Sequence, residues 1–321
     1  MTAPRYLAGA DAMHAWRDDL LSGTAPTRWP VGTGALADAV EIGPGHVVLL
    51  GGSPGQGKTS LALQMVVDAL RLTPGLRCLI CNVEMSVGAL LDRILARLSG
   101  VELTLIRSRQ LTADHAERID GALATLEPLV ERLTFLRSPF DLANVAAVAD
   151  AVEADLLVLD YLQRVKPHGE HSDRRGSVDA VMDALRGFAD AGVGILAVSA
   201  VGRSKDTKGR SSYSDLSLAS FRESSELEYG SDSAFILTPD GDEPHRVILR
   251  CLKNRHGEPR DVPLTFHRAT QRFDPAAASP SRKPAGGKRS KKDAGRMQQA
   301  LADLWKNTTP AAEDGEESID E

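Results

Sequence analysis

Short apolar runs alternate with helix-like segments through the middle of the chain. Apolar runs of strand length occur at 46–50, 77–83, 132–137, 156–160 and 193–199. Between them, apolar residues recur at intervals of three and four, which predicts helices at 58–71, 86–98, 113–126, 142–153 and 176–190. Strands that alternate with helices of this length indicate βαβ units, in which a mostly parallel sheet carries helices on both faces.

The pattern changes after residue 200. Strand-like runs at 233–238, 246–252 and 261–267 follow one another without helices between them. Neighbouring strands that are joined by short connections pair in the antiparallel sense. We therefore expect an α/β fold whose sheet ends in antiparallel strands at its C-terminal edge.

Composition divides the chain into three predicted parts. Residues 1–45 hold one predicted helix, at 11–21, and a turn-rich lead-in to the folded domain at 46–274. Residues 275–321 are first basic and then acidic, which is typical of a disordered tail. Within this tail an apolar stripe predicts a short amphipathic helix, which either binds a partner or lies on the protein's own surface. The stripe consists of Met297, Ala300, Leu301, Leu304 and Trp305.

Charge and composition exclude several classes of protein. The 321 residues carry 38 Lys and Arg against 44 Asp and Glu, a net charge of −6, which excludes a uniformly basic nucleic-acid-binding protein but leaves room for a local basic surface. No apolar run is long enough to cross a bilayer, the N-terminus lacks a secretory pattern, and three cysteines make no disulfide framework. We therefore expect a cytoplasmic protein with no membrane partner.

The loop after the first buried strand carries a phosphate-binding motif. Residues 52–59 fit the pattern GxxxxGK[ST], follow a strand and open a helix, which is the context that the motif requires. Backbone N–H groups surround an anion at such a helix N-terminus, Lys58 reaches the β and γ phosphates, and Thr59 binds Mg²⁺. The predicted nucleotide-binding residues are Gly52, Ser53, Pro54, Gly55, Gln56, Gly57, Lys58, Thr59 and Ser60.

Two carboxylates end strands that lie near this loop in the predicted sheet. Asp160 ends the run 156–160 and would orient Mg²⁺, either directly or through water. Glu84 follows the strand 77–83 and is a candidate general base for the attacking water. On position alone, however, a glutamate at a strand end usually faces solvent.

Five motifs, in order along the chain, resemble those of the motor domain of DnaB-type replicative ring helicases, a branch of the RecA-like P-loop ATPases. The resemblance runs from about Trp16 to Phe273. The motifs are the nucleotide loop 51–59, the strand-two motif 82–86, the Walker B strand and turn 157–163, the stretch 221–225 with Glu228 and Asp232, and the strand-end motif 253–257. The resemblance implies a RecA-like P-loop ATPase core.

The resemblance also implies an activity. It indicates an ATP-dependent and Mg²⁺-dependent DNA helicase, assembled as a homo-oligomeric ring that we expect to be a hexamer, which moves on single-stranded DNA and unwinds duplex during replication. The helix 11–21 matches the family's linker region, which packs on the next subunit. With about 45 residues before the loop, we expect a stand-alone motor without the family's N-terminal helical domain, and the tail is a candidate site for a replication partner.

The same resemblance assigns the catalytic residues. It makes Glu84 the catalytic base and gives Lys253 and Arg255 to the neighbouring subunit's ATP as a lysine and an arginine finger. Two residues apart at a strand end, these two side chains are expected on one face. The predicted catalytic set is Glu84, Lys58, Arg255 and Lys253.

Basic residues in two loops are candidates for contacts with DNA phosphates. Such contacts are independent of base sequence and weaken with salt. On charge alone such loops are more often solvated surface, but the resemblance favours the DNA interpretation. The predicted DNA-binding residues of these loops are Arg174, Arg175, Arg203, Lys205, Lys208 and Arg210, and the resemblance adds Arg222 and Glu223 from the stretch 221–225.

Two positions depart from the family's pattern. The family's Ser-Gln-Leu, whose glutamine senses the γ-phosphate, is Ser199-Ala200-Val201 here, and Ser225 stands where the DNA-contact stretch has glycine. The first departure keeps an alternative open, namely a RecA-like ATP-dependent DNA-binding adaptor or switch without unwinding activity.

Overall fold

A nine-stranded sheet runs through the protein in a computed structural model that describes residues 6–169, 173–201, 204–205, 211–212, 221, 226–241 and 243–277. The described residues belong to one unit of the chain, Met1–Ala278. The strands of the sheet are β1 (Val47–Gly52), β2 (Cys78–Asn82), β3 (Leu133–Phe135), β4 (Leu156–Asp160), β5 (Gly194–Val198), β8 (Ser233–Pro239), β9 (Arg246–Asn254), β10 (Val262–His267) and β11 (Arg272–Pro275). A separate antiparallel pair consists of β6 (Ser204–Lys205) and β7 (Ser211–Ser212).

The helices precede the sheet and fill the connections between its strands. They are α1 (Gly9–Ser22), α2 (Ala35–Ala39), α3 (Lys58–Leu72), α4 (Val87–Ser99), α5 (Leu103–Ser108), α6 (Ala113–Val130), α7 (Leu142–Ala151), α8 (Arg174–Asp190) and α9 (Glu226–Gly230). A 3-10 turn at Leu162–Arg164 follows β4. No helix among the described residues is long and apolar enough to cross a membrane.

The order of strands confirms the predicted α/β class. The sheet runs β11-β10-β9-β8-β1-β5-β4-β2-β3. The strands from β8 to β3 in this order are parallel, whereas β9, β10 and β11 extend the sheet from β8 as antiparallel neighbours. The antiparallel strands therefore lie at one edge, as the helix-free C-terminal pattern predicted.

Alternate side chains of each central strand enter two separate cores. In β2, Cys78 and Ile80 pack among α3 and α4 on one face, and Leu79 and Cys81 pack among α7 and α8 on the other. A strand that is buried on both faces must be apolar at nearly every position, which is why these runs are continuous in the sequence. The sheet is thus covered by helices on both sides.

The register of the central strands gathers their carboxyl ends at one place. Asn82 of β2 lies opposite Asp160 of β4, and Asp160 lies opposite Val198 of β5, which also pairs with Leu50 of β1. In open parallel sheets ligands bind at this carboxyl edge. The loops that follow β1, β2, β4 and β5 therefore surround one site.

The ends of the chain differ in part from the expectation. The predicted helix 11–21 is α1, but the lead-in also contains α2, and β11 follows the third C-terminal run where no strand was predicted. The short helix α5 was also missed. The predicted tail helix lies outside the described residues, and the three-part division of the chain stays a prediction.

Candidate functional site

The phosphate-binding motif forms the loop between β1 and α3. Gly52 has φ +151°, and a β carbon at this position would lie 2.8 Å from the Leu237 carbonyl oxygen. Gly57 has φ +87°, and a β carbon there would lie 2.7 Å from the ring of Phe266. These two positions need glycine both for their backbone conformation and for space, because L side chains rarely adopt positive φ.

Lys58 begins α3 and points its ammonium group back into the loop. The side chain is buried, and Nζ donates to the carbonyl oxygens of Gly52 at 2.8 Å and Ser53 at 3.1 Å. Burial lowers the pKa of Lys58, while the charges of Asp160 and Glu84 act in the opposite direction. A buried cation that is held by neutral carbonyl groups favours an anion in its vicinity.

Asp160 lies beside the start of α3, as its position at the end of a strand predicted. Its Oδ2 accepts hydrogen bonds from Thr59 Oγ1 and Asn82 Nδ2, each at 2.7 Å. Its Oδ1 is buried and has no hydrogen-bond partner among the residues that the structure describes. Burial raises the pKa of Asp160 to about 6, although the hydrogen bond from Thr59 and the charge of Lys58 lower it.

These groups fit a magnesium ion. A carboxylate and a hydroxyl supply the hard oxygen ligands that Mg²⁺ prefers. The oxygen of Asp160 that lacks a partner and the adjacent Thr59 hydroxyl are the candidate ligands. A divalent cation would also offset the burial that raises the pKa of this carboxyl group.

Glu84 is held at the mouth of the site by a turn. Asn82 Oδ1 accepts from the backbone N–H groups of Glu84 at 3.1 Å and Met85 at 2.8 Å, an arrangement that fixes the turn after β2. The Glu84 carboxylate is half exposed and lies 3.8 Å from the Arg164 guanidinium. It borders cavities that Lys58 also lines.

The turn between β10 and β11 covers the other side of the loop. Gln271 accepts from Ser60 Oγ at 2.6 Å, and Arg268 donates to the Gly55 carbonyl oxygen while lying over the ring of Phe266. Both residues line a cavity of about 290 Å³ together with Thr59 and Glu84. No local pattern in the sequence predicts this contribution, since the turn follows the loop by more than 200 residues.

Lys253 and Arg255 lie at the opposite end of the strands from the phosphate loop. Asn254 pairs with Ser233, and Ser233 lies opposite Val48 at the start of β1. Arg255 donates to Asp232 Oδ1 at 2.8 Å and to the Tyr229 carbonyl oxygen at 3.1 Å. Lys253 reaches the same Tyr229 carbonyl oxygen, so the two side chains do project to one face.

Asp232 is the centre of this second polar cluster. Its Oδ2 accepts from the backbone N–H of Val47 at 2.9 Å and from Arg186 at 2.8 Å, while Oδ1 receives Arg255. Burial raises the pKa of Asp232, but the bond from Val47 and the Arg186 guanidinium outweigh it and the net pKa is lowered.

The predicted DNA-binding residues are described only in small part. Arg174 and Arg175 open α8, and Arg175 is exposed. Lys205 belongs to β6. The predictions for Arg203, Lys208, Arg210, Arg222 and Glu223 fall outside the described residues. The start of α8 borders a cavity of about 920 Å³ that Lys58 and Glu84 also line, so at least this segment adjoins the phosphate loop.

The comparison with protein families decides where the chain belongs. The family model described as DnaB-like helicase C terminal domain matches residues 39–275, which is most of the chain. The chain belongs to this DnaB-like family. Its match begins before β1 and ends at β11, so it contains the phosphate loop, the carboxylates and the cluster around Asp232.

Curated relatives of this DnaB-like chain are replication proteins. It is 24% identical over 254 residues to the probable plasmid replicative DNA helicase of Chlamydia trachomatis serovar L2, covering 76% of this chain and 54% of that protein. It is 26% identical over 245 residues to the replicative DNA helicase DnaB of Buchnera aphidicola, covering 71% of this chain and 52% of that protein. The chain thus spans about half the length of these relatives.

Two solved structures support the fold. An isolated ATPase domain superposes with a TM-score of 0.73 at 17% identity, covering 84% of this DnaB-like chain and 99% of that domain. A DnaB-like replicative helicase, whose structure is described together with its interactions with primase, superposes with a TM-score of 0.70 at 16% identity, covering 84% and 67%. These likenesses confirm the RecA-like architecture with its antiparallel C-terminal strands.

Proposed function

We propose that the chain is an ATP-driven DNA helicase motor that moves on single-stranded DNA and separates duplex during replication. The observation that carries the proposal is the convergence of Lys58, Thr59 and the partnerless oxygen of Asp160 at the carboxyl edge of a DnaB-like domain. Membership of the family and the replicative relatives favour this function over the adaptor or switch without unwinding activity.

Each residue of the site has a role in ATP hydrolysis. The N-terminus of α3 and Lys58 bind the β and γ phosphates, and Thr59 and Asp160 would hold Mg²⁺. Mg²⁺ held by these residues would neutralise the negative charge that develops on the phosphate. Glu84 accepts the proton of the attacking water as general base. ATP and Mg²⁺ are therefore the expected nucleotide and metal.

The catalytic site is completed by a second copy of the chain. Arg255 and Lys253 lie at the end of the sheet away from their own phosphate loop. The two ends are separated by the length of β1, along which the chain rises about 3.3 Å per residue. We assign them to the nucleotide of the neighbouring subunit, where an arginine finger stabilises the transition-state charge. A closed ring, which we expect to be a hexamer, supplies such an interface to every subunit.

Helix α1 supports assembly. None of its residues is buried, and its large apolar side chains Met13, Trp16 and Leu20 are 55%, 62% and 60% exposed. Apolar surface of this kind marks a site of association. We assign this face to the next subunit of the ring.

The proposal also covers the contacts with DNA, the location of the protein and the role of residues 275–321. Arg174, Arg175, Arg203, Lys205, Lys208, Arg210, Arg222 and Glu223 stay the predicted DNA-binding residues. A cytoplasmic location agrees with a role in replication. The comparisons give no support to a replication partner for residues 275–321, and that contact stays a prediction.

Strand displacement tests this function directly. The protein is mixed with a forked DNA duplex that carries single-stranded tails, and release of one strand is followed with and without ATP and Mg²⁺. We expect ATP-dependent release and hydrolysis that single-stranded DNA stimulates. Lys58→Ala, which removes the cation that meets the phosphates, should abolish both. DNA-stimulated hydrolysis by the wild type without any strand release would instead favour the adaptor.

A further inference from the structure

Two side chains from the turn after β9 approach the same oxygen of Asp232. Arg255 donates to Asp232 Oδ1 at 2.8 Å, and Nε2 of His256 lies 3.8 Å from that oxygen. Asp232 is buried, and its other oxygen, Oδ2, accepts from Arg186 and from the backbone N–H of Val47. Arg255 and His256 are therefore rival partners for Oδ1.

Both terminal nitrogens of Arg255 are engaged within its own chain. One donates to Asp232 Oδ1, and the other donates to the carbonyl oxygen of Tyr229 at 3.1 Å. As the proposed finger, Arg255 must give up at least one of these bonds to meet a phosphate of the neighbouring subunit. A buried carboxylate oxygen that loses a charged donor is costly unless another donor replaces it. His256 is already placed to be that donor.

Two contacts hold the His256 ring beside Asp232. The backbone N–H of His256 donates to Asn254 Oδ1 at 3.1 Å, which fixes the turn after β9. The ring stacks on that of His46, with centroids 4.6 Å apart and planes 15° from parallel. His46 comes just before β1 and is buried. From this position a charged hydrogen bond of about 2.8 Å to Oδ1 needs a ring movement of about 1 Å.

The surroundings of the stack favour a proton on His256 over one on His46. Burial lowers the pKa of His46, the charges of Arg28 and His256 act in the same direction, and Asp232 acts against them. His46 Nδ1 is also buried without a hydrogen-bond partner among the described residues. The side chain of His256, in contrast, is 39% exposed and faces the Asp232 carboxylate.

Histidine is the side chain that changes its charge between about pH 5 and 8. The charged groups around the stack other than the two histidines keep their charge over this range. They are Arg28 with its partner Glu41, Arg186 with its partner Asp190, Lys253, Arg255 and Asp232. Competition for Asp232 Oδ1 is therefore governed by the charge of His256.

We propose that His256 is the positioning residue of the arginine finger, a proposal that rests on the proposed function. Protonated His256 pairs with Asp232 Oδ1 in place of Arg255, which makes Arg255 available to the nucleotide of the neighbouring subunit. Neutral His256 is the weaker rival, and Arg255 then stays bound to Asp232. Hydrolysis should therefore be favoured at the acid side of the range in which histidine titrates.

The pH profile of His256→Phe tests this role. Phenylalanine keeps a ring against His46 but can neither donate to Asp232 nor carry a charge. Turnover is measured at saturating ATP and single-stranded DNA. The ratio of wild-type to variant turnover should rise at least about fivefold from pH 8 to pH 6, because groups that both proteins share cancel in the ratio. His245→Phe is the matched control, since His245 is exposed and pairs with Glu243, and its ratio should not change with pH.

A cycle of unfolding measurements tests the competition without hydrolysis. Urea midpoints are compared at pH 6 for the wild type, Arg255→Ala, His256→Phe and the double variant. If either side chain can serve Oδ1, each partly compensates for the loss of the other. The midpoint of the double variant should then fall by more than the sum of the two single shifts. His256→Asn takes the place of His256→Phe if that variant does not fold.

The outcomes separate this inference from the proposed function. An active wild type whose ratio to His256→Phe is the same at pH 6 and pH 8 overturns the inference alone, and so do additive shifts of the urea midpoint. A wild type that does not hydrolyse ATP overturns the proposed function and the role of His256 with it. A ratio that rises in acid together with shifts that exceed additivity supports the positioning role.

Discussion

Two buried aspartates, one at each end of the central strands, have pKa values that are displaced in opposite directions. Burial raises the pKa of Asp160 to about 6, since the hydrogen bond from Thr59 and the Lys58 ammonium only partly offset it. Burial also acts on Asp232, but the bond from Val47 and the Arg186 guanidinium lower its pKa overall. Asp232 therefore has its counter-charges within the chain, whereas Asp160 is suited to a cation from outside.

Replacing Asp232 should change how stability depends on pH. Asp232→Asn removes the buried charged partner of the Arg186 guanidinium, which should lower the free energy of unfolding at pH 7 by about 3 kcal/mol. Because the folded pKa is lowered, the stabilisation by this carboxylate exists above its unfolded pKa of about 4 and disappears as pH falls through the folded value. Urea unfolding at pH 7 and pH 3 measures the difference in the free energy of unfolding between the wild type and Asp232→Asn. This difference should be smaller at pH 3.

An exposed partner of the same arginine provides the control. Asp190 lies 3.2 Å from Arg186 but is 70% exposed, so Asp190→Asn should change the free energy of unfolding by less than about 0.5 kcal/mol. A gap between wild type and Asp232→Asn of the same size at both pH values would contradict the assigned role of Asp232.

At the scale of elements, the phosphate loop is shaped by the hairpin of β10 and β11. The rings of Phe266 and Phe273 stack with centroids 4.2 Å apart, directly against Gly57. Gln64 of α3 ties the same hairpin down by exchanging two hydrogen bonds with the backbone of Phe273. The loop conformation thus depends on strands that come 200 residues later.

Substitution of two loop glycines separates space from backbone strain. Gly57→Ala would place a methyl group 2.7 Å from Phe266 and 2.8 Å from Phe273, whereas Gly55→Ala, at φ +76°, meets no atom of the described residues within 4 Å. We expect Gly57→Ala to lower the free energy of unfolding by about 2 to 3 kcal/mol and to weaken ATP binding. Gly55→Ala should cost about 1 kcal/mol for its strained backbone. Denaturant unfolding measures the loss of stability, and nucleotide titration measures the loss of ATP binding. Equal losses of stability in the two variants would rule out the contact with the rings as the cause.

The elements that the sequence predicted are those whose burial is complete and regular. The strands β1, β4 and β5 are buried at every residue, and α3 and α8 are long enough to show a helical period. In contrast, α2 and α5 have 5 and 6 residues, fewer than two turns, and β11 has 4 residues with one of them buried. Such short elements carry too few positions for a pattern to emerge.

The residues of the candidate site also divide into those that the sequence predicted and those that it did not. Lys58, Thr59, Asp160 and Glu84 follow strands or open a helix, so local pattern and motif placed them near one another. Arg268 and Gln271 act through contacts that only the tertiary fold creates. No short-range spacing distinguishes these two residues from other polar residues in turns.

At the scale of the whole molecule, the two halves of the proposed catalytic site face away from each other. Glu84 lies at the carboxyl edge of the sheet beside the phosphate loop, and Arg255 lies at the other end, bonded to Asp232. Besides the bond from Arg255, Asp232 accepts bonds from Arg186 and from the backbone of Val47, which do not depend on Arg255. Arg255 can therefore exchange this partner for a phosphate of the neighbouring subunit without leaving a buried carboxylate unpaired.

The measurement that tests this account most directly is ATP hydrolysis by mixed subunits. Arg255→Ala and Glu84→Gln, each assayed alone with single-stranded DNA, should turn over ATP at least ~10²-fold more slowly than the wild type, since one lacks the proposed finger and the other the proposed general base. Mixed under conditions in which subunit exchange is confirmed by fluorescence transfer between labelled copies, they form some interfaces with an intact base on one side and an intact finger on the other. We predict that hydrolysis returns in part on mixing. Confirmed exchange with no recovery, or wild-type turnover by Arg255→Ala alone, would contradict a catalytic site shared between copies of the chain.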